Sequence, residues 1–160
     1  MTIKVGFGFD VHQLKDGADL WIGGVKIPAE KGAVGHSDAD VLIHAICDAL
    51  LGAINLRDIG THFPNTDPRY KGISSLKLLQ EVCTRVIENG YTVNNIDTTV
   101  SLEDPKISEY IPQMKEKLAE ASCLTIGDIS IKATTTEKLG FTGRKEGIAA
   151  YCVALVKKVA

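Results

Sequence analysis

The sequence has no run of 18 apolar residues, no basic run, no C-x-x-C pair, and no repeat or low-complexity tract. Each absence removes a class of protein. Without a long apolar run, no membrane-spanning helix is expected. Eighteen Lys and Arg against 20 Asp and Glu give a net charge of −2, so nucleic acid is not an expected partner. An anionic ligand would instead need a local site built from metal, helix ends and a few Lys or Arg. The four cysteines, Cys47, Cys83, Cys123 and Cys152, stand far apart in apolar settings. That pattern predicts reduced core thiols in a cytoplasmic protein rather than disulfides or a zinc cage. Met1 leads directly into a strand-like segment, with no signal-like apolar stretch. No linker interrupts the chain, and 44% apolar with 24% charged residues is ordinary globular composition. One domain over residues 1–160 is expected.

Periodicity supplies the elements. In "IKVGFGFD", Ile3, Val5, Phe7 and Phe9 alternate with Lys4, Gly6, Gly8 and Asp10, the mark of a half-buried strand. "LWIGGVKIP" reads as a hairpin turned at Gly23-Gly24. "HSDADVLIHAICDALLGA" reads as a helix with Ser37 as N-cap and Asp40 at the capping-box position. "SSLKLLQEVCTRVIENGY" reads as a second, capped by Ser75, with an apolar stripe through Leu79, Cys83, Val86 and Ile87. "SEYIPQMKEKLAEASC" is a third, Pro112 being tolerable in its first turn. "NNIDTTVSLED", "DISIKATTT" and "GIAAYCVALVKKV" read as strands. The class predicted is α+β, a mixed β-sheet with helices packed on one face.

Chemistry concentrates at a few places. Asp10 and His12 in "GFDVHQL" sit two apart on a strand and share a face. They form an ordinary hydrogen-bonded pair or two ligands of a metal. His44, in the apolar run "VLIHAIC", is a core histidine or a third ligand, with Asp48 one turn later able to accept its other ring N–H. One carboxylate and two imidazoles suit zinc and leave a fourth position open, as catalytic sites do. His36 and Ser37 lie where a helix begins, a place that favours phosphate. "RDIGTHFPNTDP" is a polar loop. In "KATTTEKLGFTGR", hydroxyls and backbone donors could hold a diphosphate and Glu137 a hard cation.

The ordered set "GFDVH", "IGGVKIP", "HSDAD", "DALLGA", "DIGTHFPNTDP", "YKG", "PK", "IPQM" and "KATTTEKLGFTGR" covers the chain from end to end. It resembles the 2-C-methyl-D-erythritol 2,4-cyclodiphosphate synthase family of the non-mevalonate isoprenoid pathway. The resemblance implies a CMP-releasing, metal-dependent phosphorus–oxygen lyase that cyclises 4-diphosphocytidyl-2-C-methyl-D-erythritol 2-phosphate. By the same resemblance Asp10, His12 and His44 would hold zinc, and Glu137 would help hold magnesium or manganese. His36 and Thr135 match the catalytic positions that stabilise the transition state, with Ser37 beside them. Asp58, Ile59 and Gly60, followed by Phe63, Pro64, Asn65, Thr66 and Asp67, match the pocket for the erythritol and its phosphate. The cytidine-diphosphate side is matched by Leu102, Glu103, Asp104 and Pro105, then Lys106, Ile107 and Ser108, together with Thr134, Thr136, Phe141 and Arg144. Asn65 stands where the family often has aspartate, and Leu102 and Ser108 also depart from its usual residues. The family forms a homotrimer with each site shared between subunits. The competing readings are a zinc phosphohydrolase and a non-catalytic zinc-binding trimer.

Overall fold

Gly6 and Gly8 decide which face of the first strand meets the core. In the computed structural model, which describes residues 2–159, β1 (Ile3–Asp16) turns both glycines toward α1 (Val41–Ala53). A Cβ on Gly6 would stand 1.8 Å from the Ala49 carbonyl oxygen, and one on Gly8 the same distance from that of Ala45. Only hydrogen fits there, so the helix backbone rests directly on the strand. The apolar alternation therefore points the other way from its usual sense. Ile3, Val5, Phe7, Phe9 and Val11 are exposed, and Lys4, Asp10, His12 and Leu14 share the glycine face.

After β1 come β2 (Leu20–Ile22) and β3 (Val25–Ile27), the expected hairpin, turned through Gly23 and Gly24 at φ +59° and +78°. Positive φ at both positions is what a two-residue hairpin turn demands of glycine. The chain continues through β4 (Lys31–Val34), α1, the one-turn α2 (Ile59–His62), α3 (Ser75–Glu88) and β5 (Tyr91–Ser101). Then follow α4 (Ile111–Ala121), β6 (Ile129–Thr134), the one-turn α5 (Gly140–Gly143) and β7 (Gly147–Lys158). Pro112 falls in the first turn of α4, where its missing N–H costs nothing. Five strands form a mixed sheet in the order β4-β1-β7-β5-β6; β5 and β6 are parallel and every other pairing is antiparallel.

Helices cover one face only. Val41, Leu42, Ile43, Ile46, Leu50 and Leu51 of α1 are 0–1% exposed, and each such side chain contributes about 1.5–3 kcal/mol over its exposed state. Leu79, Val82 and Val86 of α3 and Met114 and Leu118 of α4 complete that layer. Ile87, read as part of the α3 stripe, is exposed, because it stands one residue past buried Val86, about 100° further round the helix and off the buried face. On the uncovered face Phe9 packs on Tyr151 with ring centroids 5.2 Å apart, beside Phe7 and Val153. Cys47, Cys83 and Cys152 are buried core thiols, whereas Cys123 is exposed in the turn after α4. All four are free.

Two cap expectations are corrected. The cap of α1 is Asp40, not Ser37: its carboxylate accepts from Ile43 N at 3.1 Å, Gly23 N at 3.0 Å and Gly24 N at 2.7 Å. One buried acid thus ties the hairpin turn to the helix start. The α3 cap position is Ser74, whose side chain makes no capping bond, and Ser75 is already helical. Its N–H is taken at 2.9 Å by Asp38 from the neighbouring segment. Ser37 and Ser75, the two serines expected as caps, are drawn into the site instead.

Candidate active site

Strand geometry puts Asp10 and His12 on one face of β1, and the glycine contact presses α1 close enough to bring His44 to them. Asp10 Oδ2 lies 3.0 Å from His12 Nε2 and 3.1 Å from His44 Nδ1, and the two ring nitrogens are 3.0 Å apart. Among the described residues these three form a group able to hold a metal ion. Ligand atoms around a tetrahedral ion with bonds of about 2.0–2.1 Å stand about 3.3–3.4 Å apart, so a small opening of this triangle admits one. Burial pushes the Asp10 carboxyl upward, but hydrogen bonds and charge from His12 and His44 outweigh it and hold it below the ordinary range. Burial lowers His44, yet the Asp10 carboxylate raises it further than burial depresses it. The cluster therefore favours positive charge facing the carboxylate, as a cation would supply.

The second nitrogen of His44 does not meet Asp48, as expected from helical spacing. Nε2 lies 2.9 Å from Ser75 Oγ and 3.1 Å from Ser37 Oγ. Asp48 turns toward the next loop and accepts from Ile59 N at 2.7 Å, which fixes the start of α2. Spacing along one helix could not reveal a partner supplied by the N-terminus of another.

A cavity of about 290 Å³ opens on the triad and is lined also by His36, Ser37, Ile59, Gly60, Phe63 and Asn65. Sequence reasoning missed Gly35, Tyr70 and Leu78, which complete its wall. Gly35 adjoins His36 and Tyr70 opens the quoted "YKG", whereas Leu78 lies in no motif singled out. His36 Nε2 donates to the Asp67 carbonyl at 3.1 Å, tying this segment to the 63–67 loop. Asp58 lies outside the cavity; its carboxylate caps α2 by accepting from Thr61 N at 2.9 Å and the Thr61 hydroxyl at 3.0 Å. Asp67 is held below its usual range by the hydrogen bond from Arg69, and neither it, Pro64 nor Thr66 lines the cavity.

The remaining predicted residues lie elsewhere on the chain. Leu102, Glu103, Pro105, Lys106, Ile107 and Ser108 face Thr134 and Thr135 across a second cavity of about 220 Å³. The two cavities share no lining residue. Asp104 points away, 3.8 Å from Lys145 Nζ. Thr136, Glu137, Phe141 and Arg144 line neither cavity. Glu137 is exposed at φ +53°, its N–H donating to Thr135 Oγ1 at 3.3 Å, and Arg144 pairs with Glu146 at 2.9 Å. Within one chain, then, the hydroxyl-rich loop does not meet the triad.

The YgbB family model matches residues 3–157. The 2-C-methyl-D-erythritol 2,4-cyclodiphosphate synthase of Cytophaga hutchinsonii is 58% identical over 158 residues, covering 99% of each chain. Among solved structures, the bifunctional IspDF of Campylobacter jejuni superposes with a TM-score of 0.94 at 41% identity, over 98% of this chain and 42% of that one. The CDP complex of Plasmodium falciparum IspF gives 0.86 at 31% identity, over 99% and 97%.

Proposed function

The chain belongs to the YgbB family, to which its 2-C-methyl-D-erythritol 2,4-cyclodiphosphate synthase relatives point, and from that premise we propose its reaction and its site. It converts 4-diphosphocytidyl-2-C-methyl-D-erythritol 2-phosphate into the 2,4-cyclodiphosphate and CMP, a phosphorus–oxygen lyase reaction, with residues 1–160 acting as one catalytic domain. The observation that carries this is the convergence of Asp10, His12 and His44 at 3.0–3.1 Å on the wall of a cavity also lined by His36 and Ser37.

The donor set, one carboxylate and two imidazoles, fits zinc with an open position. Zinc there would polarise a phosphate oxygen, and magnesium or manganese at Glu137 would neutralise charge on the departing CMP. The attacking group is the substrate's own 2-phosphate, already anionic, so no protein base is needed. Its oxygen bonds to the β-phosphorus, the bond from that phosphorus to the α-phosphate oxygen breaks, and the electron pair leaves with CMP. The work of the chain is placement. His36 and Ser37 offer polar groups to the phosphates, and Ile59 and Gly60 with the Phe63–Asp67 loop shape the space for the erythritol. Leu102 to Ser108 with Thr134 receive the cytidine, and Thr135 faces the reacting phosphates.

These two halves meet in a homotrimer, one subunit giving the triad and its neighbour the cytidine cavity. Two observations support that assembly. The cavities of one chain share no residue, and the uncovered sheet face carries Phe7 at 64% and Val5 at 63% exposure beside Phe9 and Tyr151. A contiguous apolar face of this kind marks an interface. Incubation with the cytidyl substrate, Zn²⁺ and Mg²⁺, followed by phosphorus NMR, tests the reaction. Equal amounts of cyclic diphosphate and CMP are expected, and release of free phosphate would refute it.

A further inference from the structure

We infer that Ser75, oriented by Asp38, is the positioning residue that holds the His44 ring in the one tautomer able to ligate a cation. This rests on the metal-site reading above. The direction of each hydrogen bond carries it. An ionised carboxylate only accepts. Asp38 accepts the Ser75 backbone N–H on Oδ2 at 2.9 Å, and on Oδ1 it accepts both the Ser75 hydroxyl and the Asp40 N–H. The single hydroxyl hydrogen of Ser75 is thereby committed to Asp38, and what Oγ turns toward His44 Nε2 at 2.9 Å is a lone pair. Nε2 must then carry the ring hydrogen. In a neutral imidazole that leaves Nδ1 bare, and Nδ1 is the atom facing Asp10 and His12.

The hydroxyl has no other work to do. Ser75 is fully buried and lies one residue inside α3, past the cap position at Ser74, and the helix-end N–H is already satisfied by Asp38. Ser37 Oγ, at 3.1 Å from Nε2, takes the Ala39 N–H at 3.3 Å and, with the ring hydrogen set on Nε2 by the nearer Ser75 lone pair, accepts from it at longer range. Asp48, the remaining acid on the same helix, is engaged by Ile59 N. Without the Ser75 hydroxyl, the strongest acceptor left to the ring is the Asp10 carboxylate at 3.1 Å from Nδ1. A hydrogen drawn to that side would occupy the ligand position itself.

The test strips the full-length protein of metal with a chelator and titrates Zn²⁺ against a chromophoric competitor. Ser75→Ala is expected to weaken zinc about 10–100-fold, the usual effect of losing a ligand's outer partner, while Ser75→Thr, which keeps the hydroxyl, restores affinity to near native. Substituted Co²⁺ should show the native visible spectrum in Ser75→Thr and an altered one in Ser75→Ala. Should Ser75→Ala fail to fold, imidazole ¹⁵N spectra of the native zinc-loaded protein decide alone. His44 must carry hydrogen on Nε2 and metal on Nδ1, and the reverse assignment overturns the inference. Failure of the native protein to bind zinc would instead overturn the metal-site reading. Native binding with Ser75→Ala within twofold of it overturns the positioning role and leaves the site standing.

Discussion

Replacing Gly8 by alanine adds a single methyl group and should be among the most damaging small changes this chain can suffer. The new Cβ would lie 1.8 Å from the Ala45 carbonyl oxygen, 2.7 Å from Ala49 N and 2.9 Å from Ala45 C, where ordinary contact begins at 3.4 Å. The obstacle is helix backbone, which has no rotamer to change, so α1 must withdraw from the sheet by the difference, 1.6 Å. Overpacking that rotamers can relieve costs about 1–3 kcal/mol. A rigid obstacle belongs at the top of that range, about 3 kcal/mol, which lowers Tm by about 6–12 °C for a domain of this size. His44 adjoins Ala45, so the same withdrawal pulls Nδ1 from Asp10 and His12 and weakens zinc. Calorimetry at one fixed protein concentration, with zinc titration alongside, reads both effects. Gly52→Ala is the control of opposite sign. It lies in the same helix with nothing within 4 Å of its Cβ, and should gain about 0.5–1 kcal/mol. A Gly8→Ala protein that melts within 2 °C of native and binds zinc normally would refute the close packing of α1 on β1.

Three further outcomes are expected. Glu137→Gln should fold, load zinc and bind CMP, yet turn over at least ~100-fold more slowly, the scale of one lost electrostatic contact in a transition state; near-native turnover would remove Glu137 from the mechanism. Native protein should sediment as the proposed trimer, and Phe7→Lys, on the uncovered sheet face, should sediment as a folded monomer, because the side chain is already 64% exposed within one chain; an intact trimer in that variant would place the interface elsewhere. Burial pushes the Cys83 and Cys152 thiols up to about 12 and Cys47 well above its usual value. Their thiolates therefore appear only as pH climbs far past neutrality, and a disulfide reagent at pH 8 should label Cys123 alone in the native protein and all four thiols after denaturation. A second fast thiol would contradict the packing around those three, and a change of Tm under reductant would reveal a disulfide.

Much of this is legible in the sequence. The hairpin at Gly23-Gly24, three main helices, the later strands and the one-sided layering all follow from period and turn chemistry. The triad was legible because strand periodicity unites Asp10 and His12, and a histidine in an apolar helix needs a reason. What escaped depends on contacts between distant segments. Alternation in β1 shows two faces but not which one is buried, and the choice is made by the backbone of α1. Ser37 and Ser75 have the residue type and the place of caps, and only the approach of His44 shows that their hydroxyls serve the ring. Asp48 looked like the partner of His44 because helical spacing counts neighbours along one helix. The separation of Thr135 and Glu137 from the triad is likewise invisible in a motif, which fixes order along the chain and says nothing of distance.

The contrast between the two faces of β1 bears on what insertions and deletions the chain can accept. Side chains alternate along a strand, so a shift of one residue exchanges every side chain between faces. Upstream of His12, such a shift would drive Phe7 or Phe9 into a space that does not admit a methyl group. Placed between Asp10 and His12, it would send the two ligands to opposite sides of the sheet. Eleven residues of this strand are paired with β7, from Ile3 opposite Lys157 to Gln13 opposite Gly147, and that ladder leaves no slack to absorb the change. From residue 3 to residue 13 the chain length is as much a part of the site as the identity of its ligands.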